Sequence, residues 1–134
     1  MRVFLDANAL FSASNAGSNI ARLIAWLIER ETAVTSDLAV EEARKNLALK
    51  RADWLPAFEK MLGGVEVVPS VLFDLPVPLE AKDAPLLCAA IRSRCGFFAT
   101  GDRRDFGHLY GQMVQGVEVV SLLRLAEILG AGGD

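Results

Sequence analysis

Four acidic side chains in this sequence have the type and placement to do chemistry: Asp6, Glu42, Asp83 and Asp102. Each stands where a strand is expected to end or a helix to begin, beside an apolar segment that a folded chain would bury. Carboxylates gathered in one cleft repel one another, and a divalent cation relieves that repulsion. If the four converge, the chain is a metal-dependent enzyme, with phosphodiester cleavage as the leading chemistry. Taken singly, three of them have ordinary explanations. Asp83 before Ala84-Pro85 is a good helix N-cap, Asp102 suits a turn, and Glu42 beside Glu41 suits a solvated helix face. Asp6 is harder to dismiss, because a charge directly after Val3-Phe4-Leu5 is costly unless it is used. One functional reading accounts for all four at once.

Other residues gather around this set. Asn8 is either a loop residue or a hydrogen-bond partner of a ligating carboxylate. Ser36 and Thr100 are either caps and turn residues or hydroxyls that support the acids. Asp105, three after Asp102, either joins the site or caps a short helix. Substrate phosphates require positive charge near the acids, and Arg103 and Arg104 are the first candidates, with Arg44 and Lys45 as seconds. Lys50 and Arg51 belong to the same surface or to an ordinary solvated helix face. Trp54 offers a stacking surface for an unpaired base, but its helical spacing favours core packing.

Elimination narrows the chemistry. The chain has one histidine, His108, so a two-histidine ribonuclease mechanism is impossible by count. His108 reads as a surface residue of the Gly107–Gly111 segment. No Gly-x-x-x-x-Gly-Lys-Ser/Thr loop and no Gly-x-Ser-x-Gly elbow is present. Cys88 and Cys95 lie seven apart in a helical pattern, too far along one helix for a disulfide. They read as small core residues of a protein in a reducing compartment.

The elements that must position these residues follow from composition and periodicity. A chain of 134 residues, 52% hydrophobic and 23% charged, is expected to fold as one domain over 1–134, with a frayed tail at 129–134. Its net charge of −3 rules out a uniformly basic nucleic-acid-binding surface but not a local basic patch. Asp6 interrupts the first apolar run, and no run reaches the ~20 residues of a membrane span. A soluble, cytoplasmic protein without a membrane partner is expected. Short apolar strands are predicted at Arg2–Leu5, Ala33–Thr35, Val65–Val68, Phe97–Thr100 and Val117–Val120. Helical patterns lie between them: a turn at Ala7–Phe11, then Ile20–Ile28, a helix from Ser36 or Asp37 through Leu47, one carrying Trp54 to Leu62, one from Asp83 through Cys95 ended by Gly96, and Leu122–Leu129. Strand and helix alternate, so the chain is predicted to be α/β: a three-layer α/β/α sandwich with a roughly five-stranded parallel sheet. In such sheets, sites form beyond the carboxyl ends of the strands. Asp6 and Asp102 end strands and Glu42 and Asp83 lie near helix starts, so topology predicts one shared edge.

These residues and spacings resemble the PIN domain family of nucleases. The matching pieces are Val3-Phe4-Leu5-Asp6-Ala7-Asn8, Ser36 with Glu42 six later, Asp83 heading an apolar helix, and Phe98-Ala99-Thr100-Gly101-Asp102-Arg103-Arg104-Asp105-Phe106. The chain is similar to the small toxin members of toxin–antitoxin pairs, such as the VapC type. Ala7 departs from the commoner threonine, which affects a supporting contact and not a ligand. The resemblance implies a ribonuclease dependent on Mg²⁺ or Mn²⁺, with Asp6, Glu42, Asp83 and Asp102 as the catalytic and metal-binding acids and products bearing a 5′-phosphate. Within it, Asp6 and Asp102 are expected as the most direct ligands. Glu42 and Asp83 would act through water or orient the attacking water. It also implies a cognate antitoxin that covers the cleft, and homodimerisation, with Trp26 and the helix around Trp54 as contact surfaces.

Two other classes share the sheet type. A receiver-like phosphotransfer domain needs an Asp ending its third strand and a Lys ending its fifth, where this chain has Pro69-Ser70 and Ser121-Leu122. A dehalogenase-like aspartate phosphohydrolase wants an Asp two after Asp6, and Asn8 stands there. A non-catalytic interaction module that keeps the fold is the remaining alternative.

Overall fold

The computed structural model describes residues 1–130. The chain begins with β1 (Arg2–Leu5), α1 (Ala7–Ala13), α2 (Asn19–Arg30), β2 (Thr32–Ser36) and α3 (Asp37–Lys50). A 3₁₀ turn, Ala52–Trp54, leads into α4 (Leu55–Leu62) and β3 (Glu66–Val68). An irregular strap, residues 69–83, then reaches α5 (Ala84–Arg92) and β4 (Phe97–Ala99). The last elements are α6 (Arg103–Phe106), a 3₁₀ turn at Gly107–Leu109, the hairpin of β5 (Met113–Val114) and β6 (Val117–Val120), and α7 (Leu122–Leu129). Leu129 is thus the last residue of a helix, closed by Gly130 in the left-handed conformation at φ 66°. The remainder of the expected frayed tail, 131–134, lies outside the described residues.

The sheet has six strands in the order β3-β2-β1-β4-β6-β5. Five are parallel, and β5 is an antiparallel edge strand paired to β6. Strand β5 is additional to the five expected, because its two residues, Met113 and Val114, carry no periodicity of their own. Its signal lay in the turn: Gln115 and Gly116 both take positive φ, 47° and 90°, as a two-residue hairpin requires. From β1 the chain builds outward to β2 and β3, then returns to lay β4 against the other side of β1. The strand order therefore reverses between β1 and β4.

Helices cover the sheet because the strands are apolar on both faces. Val3, Phe4, Leu5, Phe98, Ala99, Val119 and Val120 are all buried. Phe4 and Phe98 are register partners on adjacent strands and stack at 5.3 Å, and Phe106 tilts onto Phe98 at 4.9 Å. Burying each such ring contributes roughly 1.5–3 kcal/mol. Ser18, Ser36 and Ser121 hold α2, α3 and α7 by accepting from Ala21, Ala39 and Arg124 backbone N–H groups. Helix α5 ends earlier than its apolar pattern suggests. It stops at Arg92, and Arg94 rather than Gly96 takes the left-handed turn at φ 59°. Cys95 therefore lies beyond the helix; it and Cys88 are buried free thiols. Trp54 belongs to the turn before α4, edge-on to Phe11 and under the Arg51 guanidinium.

The strap 69–83 alternates like a strand without pairing as one. Val71, Phe73, Leu75, Val77 and Leu79 are half-buried, and Leu72, Asp74, Pro76 and Pro78 between them are exposed. It is tied to α5 where Cys88 Sγ donates to Phe73 O at 3.4 Å, and to the Gly107–Leu109 turn where His108 Nε2 meets Pro78 O at 3.0 Å. Among the described residues no helix is long and apolar enough to cross a membrane.

Candidate active site

The reversal between β1 and β4 places the residues after those strands side by side. Asp6 N–H donates to Ala99 O at 3.1 Å, continuing the ladder one residue past β1. Its side chain is only 4% exposed. Asp6 Oδ1 accepts from Ala7 N at 2.7 Å, and Oδ2 accepts from Thr100 Oγ1 at 2.7 Å. The same Thr100 oxygen accepts from Asp102 N–H at 3.0 Å, so one hydroxyl links both strand-end acids. Asn8 Oδ1 accepts from Gly101 N–H at 3.1 Å and lies 3.3 Å from Thr100 Oγ1, which stitches α1 to the loop after β4. Asp102 Oδ1 caps α6 by accepting from Asp105 N–H at 3.1 Å.

Glu42 and Asp83 come from α3 and the start of α5. Glu42 is exposed, one turn and a half into α3. Asp83 occupies the N-cap position of α5 but makes no capping hydrogen bond. The residue is instead buried, 5% exposed, with Oδ2 lacking any hydrogen-bond partner. All four acids line one cleft of about 280 Å³, together with Ala7, Asn8, Phe11, Asn46, Lys50 and Lys82. Burial pushes the Asp6 carboxyl up to about 6; its hydrogen bonds oppose this, and the charges of Glu42 and Asp83 add to it. Burial likewise pushes Asp83 up to about 6, with the Lys82 charge opposing and Asp105 reinforcing. The cleft thus holds two carboxylates whose charged forms the fold disfavours, and a cation entering it would relieve both.

No family model matches the sequence, and no curated protein matches it. Solved structures do. A chain of the VapBC2 assembly from Rickettsia felis, solved bound to a DNA fragment from its promoter, superposes with a TM-score of 0.66 at 12% identity, over 90% of this chain and 98% of that one. A PilT N-terminus domain protein from Sulfolobus solfataricus P2 gives 0.61 at 14% identity, over 100% and 96%. PAE2754 from Pyrobaculum aerophilum gives 0.59 at 21% identity, over 95% and 96%. The chain has the PIN fold. At these identities the likeness speaks for the architecture, and the chemistry must be argued from the chain's own residues.

Within the PIN fold the remaining candidates part company. Thr100 and Asn8 touch the acids or one another. Ser36 does not: its hydroxyl is the N-cap of α3, so it serves Glu42 only by placing the helix. Asp105 lines a neighbouring hollow with Arg104, His108 and the strap, and meets the cleft at its edge, where it pairs with Lys82 and pushes the Asp83 carboxyl up. Arg103 and Arg104 stand exposed on α6, directly after Asp102. Arg44 is turned from the cleft by a forked pair with Glu59, with its guanidinium over Phe58. Lys45 lines a shallow hollow beside the cleft, with Glu41 and Glu42. The half-buried Trp26 lies under the Arg30 guanidinium rather than free on the surface.

Three residues at the site went unremarked or underweighted in the sequence. Lys82 is next to Asp83, where a lone lysine in a Pro-rich stretch gives no signal. Asn46 stands one turn after Glu42, a spacing that puts both on one helix face. Tyr110 Oη donates to Thr100 O at 2.9 Å and braces the threonine from behind. A larger hollow of about 510 Å³, lined by apolar residues such as Ile24, Ile28 and Met61, contains no acid.

The donor chemistry of the cleft fits a hard divalent ion. It offers carboxylate oxygens with no thiolate or imidazole, and one buried carboxylate oxygen has no hydrogen-bond partner and only a long contact with Lys82, at 3.4 Å. Among the described residues, however, no three His, Cys, Asp or Glu side chains converge closely enough to grip one ion together. The arrangement suits a cation that keeps part of its water, as Mg²⁺ does.

Proposed function

We propose that this chain is a metal-dependent endoribonuclease of the VapC type, the toxin of a type II toxin–antitoxin pair. The observation that carries the reading is the convergence of Asp6, Glu42, Asp83 and Asp102, from four separate elements, on one cleft at the strand-order reversal, with Asp83 Oδ2 buried and unbonded. Mg²⁺ or Mn²⁺ would be held by these acids, Asp6 and Asp102 most directly. When bound, it would supply Lewis acidity toward the scissile phosphate and make water a better nucleophile. The chain's own residues do the rest. Ala7 N–H and Thr100 Oγ1 fix the Asp6 carboxylate against rotation. Thr100 also ties the Asp102 backbone to the same point. Glu42, on the open side of the cleft, orients the attacking water and accepts its proton. Arg103 and Arg104 contact the phosphates that flank the cleavage site.

The toxin assignment is supported by the likeness to the VapBC2 assembly, and it carries the expectation of a cognate antitoxin encoded nearby. Such an antitoxin would mask the acidic cleft, and the active form would be a homodimer.

The protein is expected to cleave single-stranded RNA only with Mg²⁺ or Mn²⁺, and Asp6→Asn is expected to lower the rate at least ~100-fold while the fold persists. Following labelled RNA on a gel, with circular dichroism of the variant, checks both. Full activity in excess EDTA or in Asp6→Asn would refute the reading.

A further inference from the structure

A surface lysine normally extends its ammonium into water. Lys82 does not. Its Nζ lies 2.6 Å from Asp105 Oδ2 and 3.4 Å from each oxygen of Asp83. The two contacts differ in kind. The first is a short charge-assisted hydrogen bond. The second is long, and it leaves Asp83 Oδ2 buried without a hydrogen bond. Neither the cap of α5 nor any backbone donor uses that oxygen. The partners also differ in freedom. The Asp83 side chain is 6% exposed and fixed, whereas that of Lys82 is 61% exposed. The carboxylate cannot leave the cleft, and the ammonium can.

Resting on the nuclease reading above, we propose that Lys82 is a displaceable counter-cation of the cleft: it compensates Asp83 and Asp105 in the metal-free protein and gives way when a divalent ion is loaded. Lys82 lines both the acidic cleft and the adjacent hollow that holds Glu41, Glu42 and Lys45, so its long side chain has a second place to lie within reach. A single ammonium shared by two carboxylates under-compensates them, which favours exchange for a doubly charged ion. The same ammonium makes that ion compete for Asp83, so Lys82 sets the metal concentration at which the site fills. It is a positioning residue, acting through Asp83 rather than on RNA.

Calorimetric titration with Mn²⁺ of wild type, Lys82→Met, Lys82→Arg and Asp6→Asn, with thermal melts in EDTA and in saturating Mn²⁺, tests this. Lys82→Met is expected to bind Mn²⁺ about threefold to tenfold more tightly than wild type, since a competing charge is gone. Lys82→Arg keeps the charge and stays within about twofold of wild type. In EDTA, Lys82→Met melts below wild type, and saturating Mn²⁺ closes the gap. Unchanged or weaker Mn²⁺ binding in Lys82→Met overturns the proposal. So does a loss of melting temperature that is equal with and without metal, which would make Lys82 a structural tie of the strap. If wild type takes up no Mn²⁺, or Asp6→Asn takes it up as well as wild type does, the nuclease reading falls and this proposal with it. Binding that Asp6→Asn loses and Lys82→Met leaves unchanged sinks the Lys82 role alone.

Discussion

Asp6 shows most plainly what the fold gives up for its cleft. Its carboxyl ordinarily titrates near 3.8 and is pushed up to about 6, chiefly by burial. A carboxyl whose proton is held more tightly in the folded state stabilises the fold at low pH, and that stability is lost as pH rises from about 4 through about 6. The gap is worth about 3 kcal/mol, and Asp83 acts in the same direction. The metal-free protein is therefore expected to melt higher at pH 5 than at pH 7.5, opposite to a protein held by salt-bridged carboxylates. Asp6→Asn should raise the metal-free melting temperature at pH 7.5 and flatten the profile. The amide can keep both contacts: its oxygen accepts from Ala7 N–H, and its NH₂ donates to Thr100 Oγ1. The hydroxyl then turns to Asn8 Oδ1, 3.3 Å away. Melts in EDTA across pH 4–8 check this, and a wild-type curve that rises toward neutral pH counts against it. At this scale the sequence was informative where charge meets an apolar run. Asp6 after Val-Phe-Leu has a burial cost that can be read without coordinates. Lys82 was not legible, because its meaning depends on Asp105, far along the chain, and no local pattern reports a contact between distant segments.

Elements carry these side chains, and their starts were easier to read than their ends. Strands β1, β2, β4 and β6 are apolar runs with polar stops, so both their existence and the sheet edge that receives Asp6 and Asp102 followed from pattern alone. The end of α5 did not, because Cys95 continues the apolar spacing after the backbone has left the helix at Arg92. Short β5 was invisible because pairing with β6, not propensity, makes it a strand. Helix α3 illustrates how a start can govern a site. Ser36 Oγ caps it from the buried end of β2, and Glu42 lies within the next two turns. Removing the cap by Ser36→Ala should cost about 1 kcal/mol, which for a domain of this size lowers the melting temperature by roughly 3–6 °C. The exposed Glu42 would lose the anchor that aims it, so cleavage is expected to slow several-fold while KM for RNA holds. Parallel melts and rate measurements check it; a rise in KM with an unchanged rate would mean that Ser36 touches substrate after all.

For the whole molecule the proposed function raises the question of how a chain of net charge −3 would hold a polyanion. Three of the basic residues are taken up in neutral pairs, Arg2 with Glu66, Arg44 with Glu59 and Arg51 with Asp53, which leave the net charge unchanged, so what counts is where the unpaired cations stand. Arg44, expected near the site from its place after Glu42, and Arg51, grouped with Lys50, are thus engaged in exposed ion pairs in this structure. Arg103 and Arg104 form no ion pair among the described residues, and they sit on α6 immediately beyond Asp102. On the proposed nuclease reading, they are the cations expected to meet the phosphate chain. For single-stranded nucleic acid each phosphate contact contributes about 0.7 to the slope of log affinity against log salt. Replacing both arginines by alanine is therefore expected to flatten that slope by about 1.4, to weaken RNA binding most at low salt, and to do so with little regard to sequence. Binding isotherms for the metal-free protein between about 50 and 200 mM salt measure the slope without turnover. A double variant with the wild-type slope would show that the backbone of the RNA runs elsewhere, along Lys50 and Lys45 on the α3 side, and the Arg103–Arg104 face would then have to be given up as the entry to the cleft.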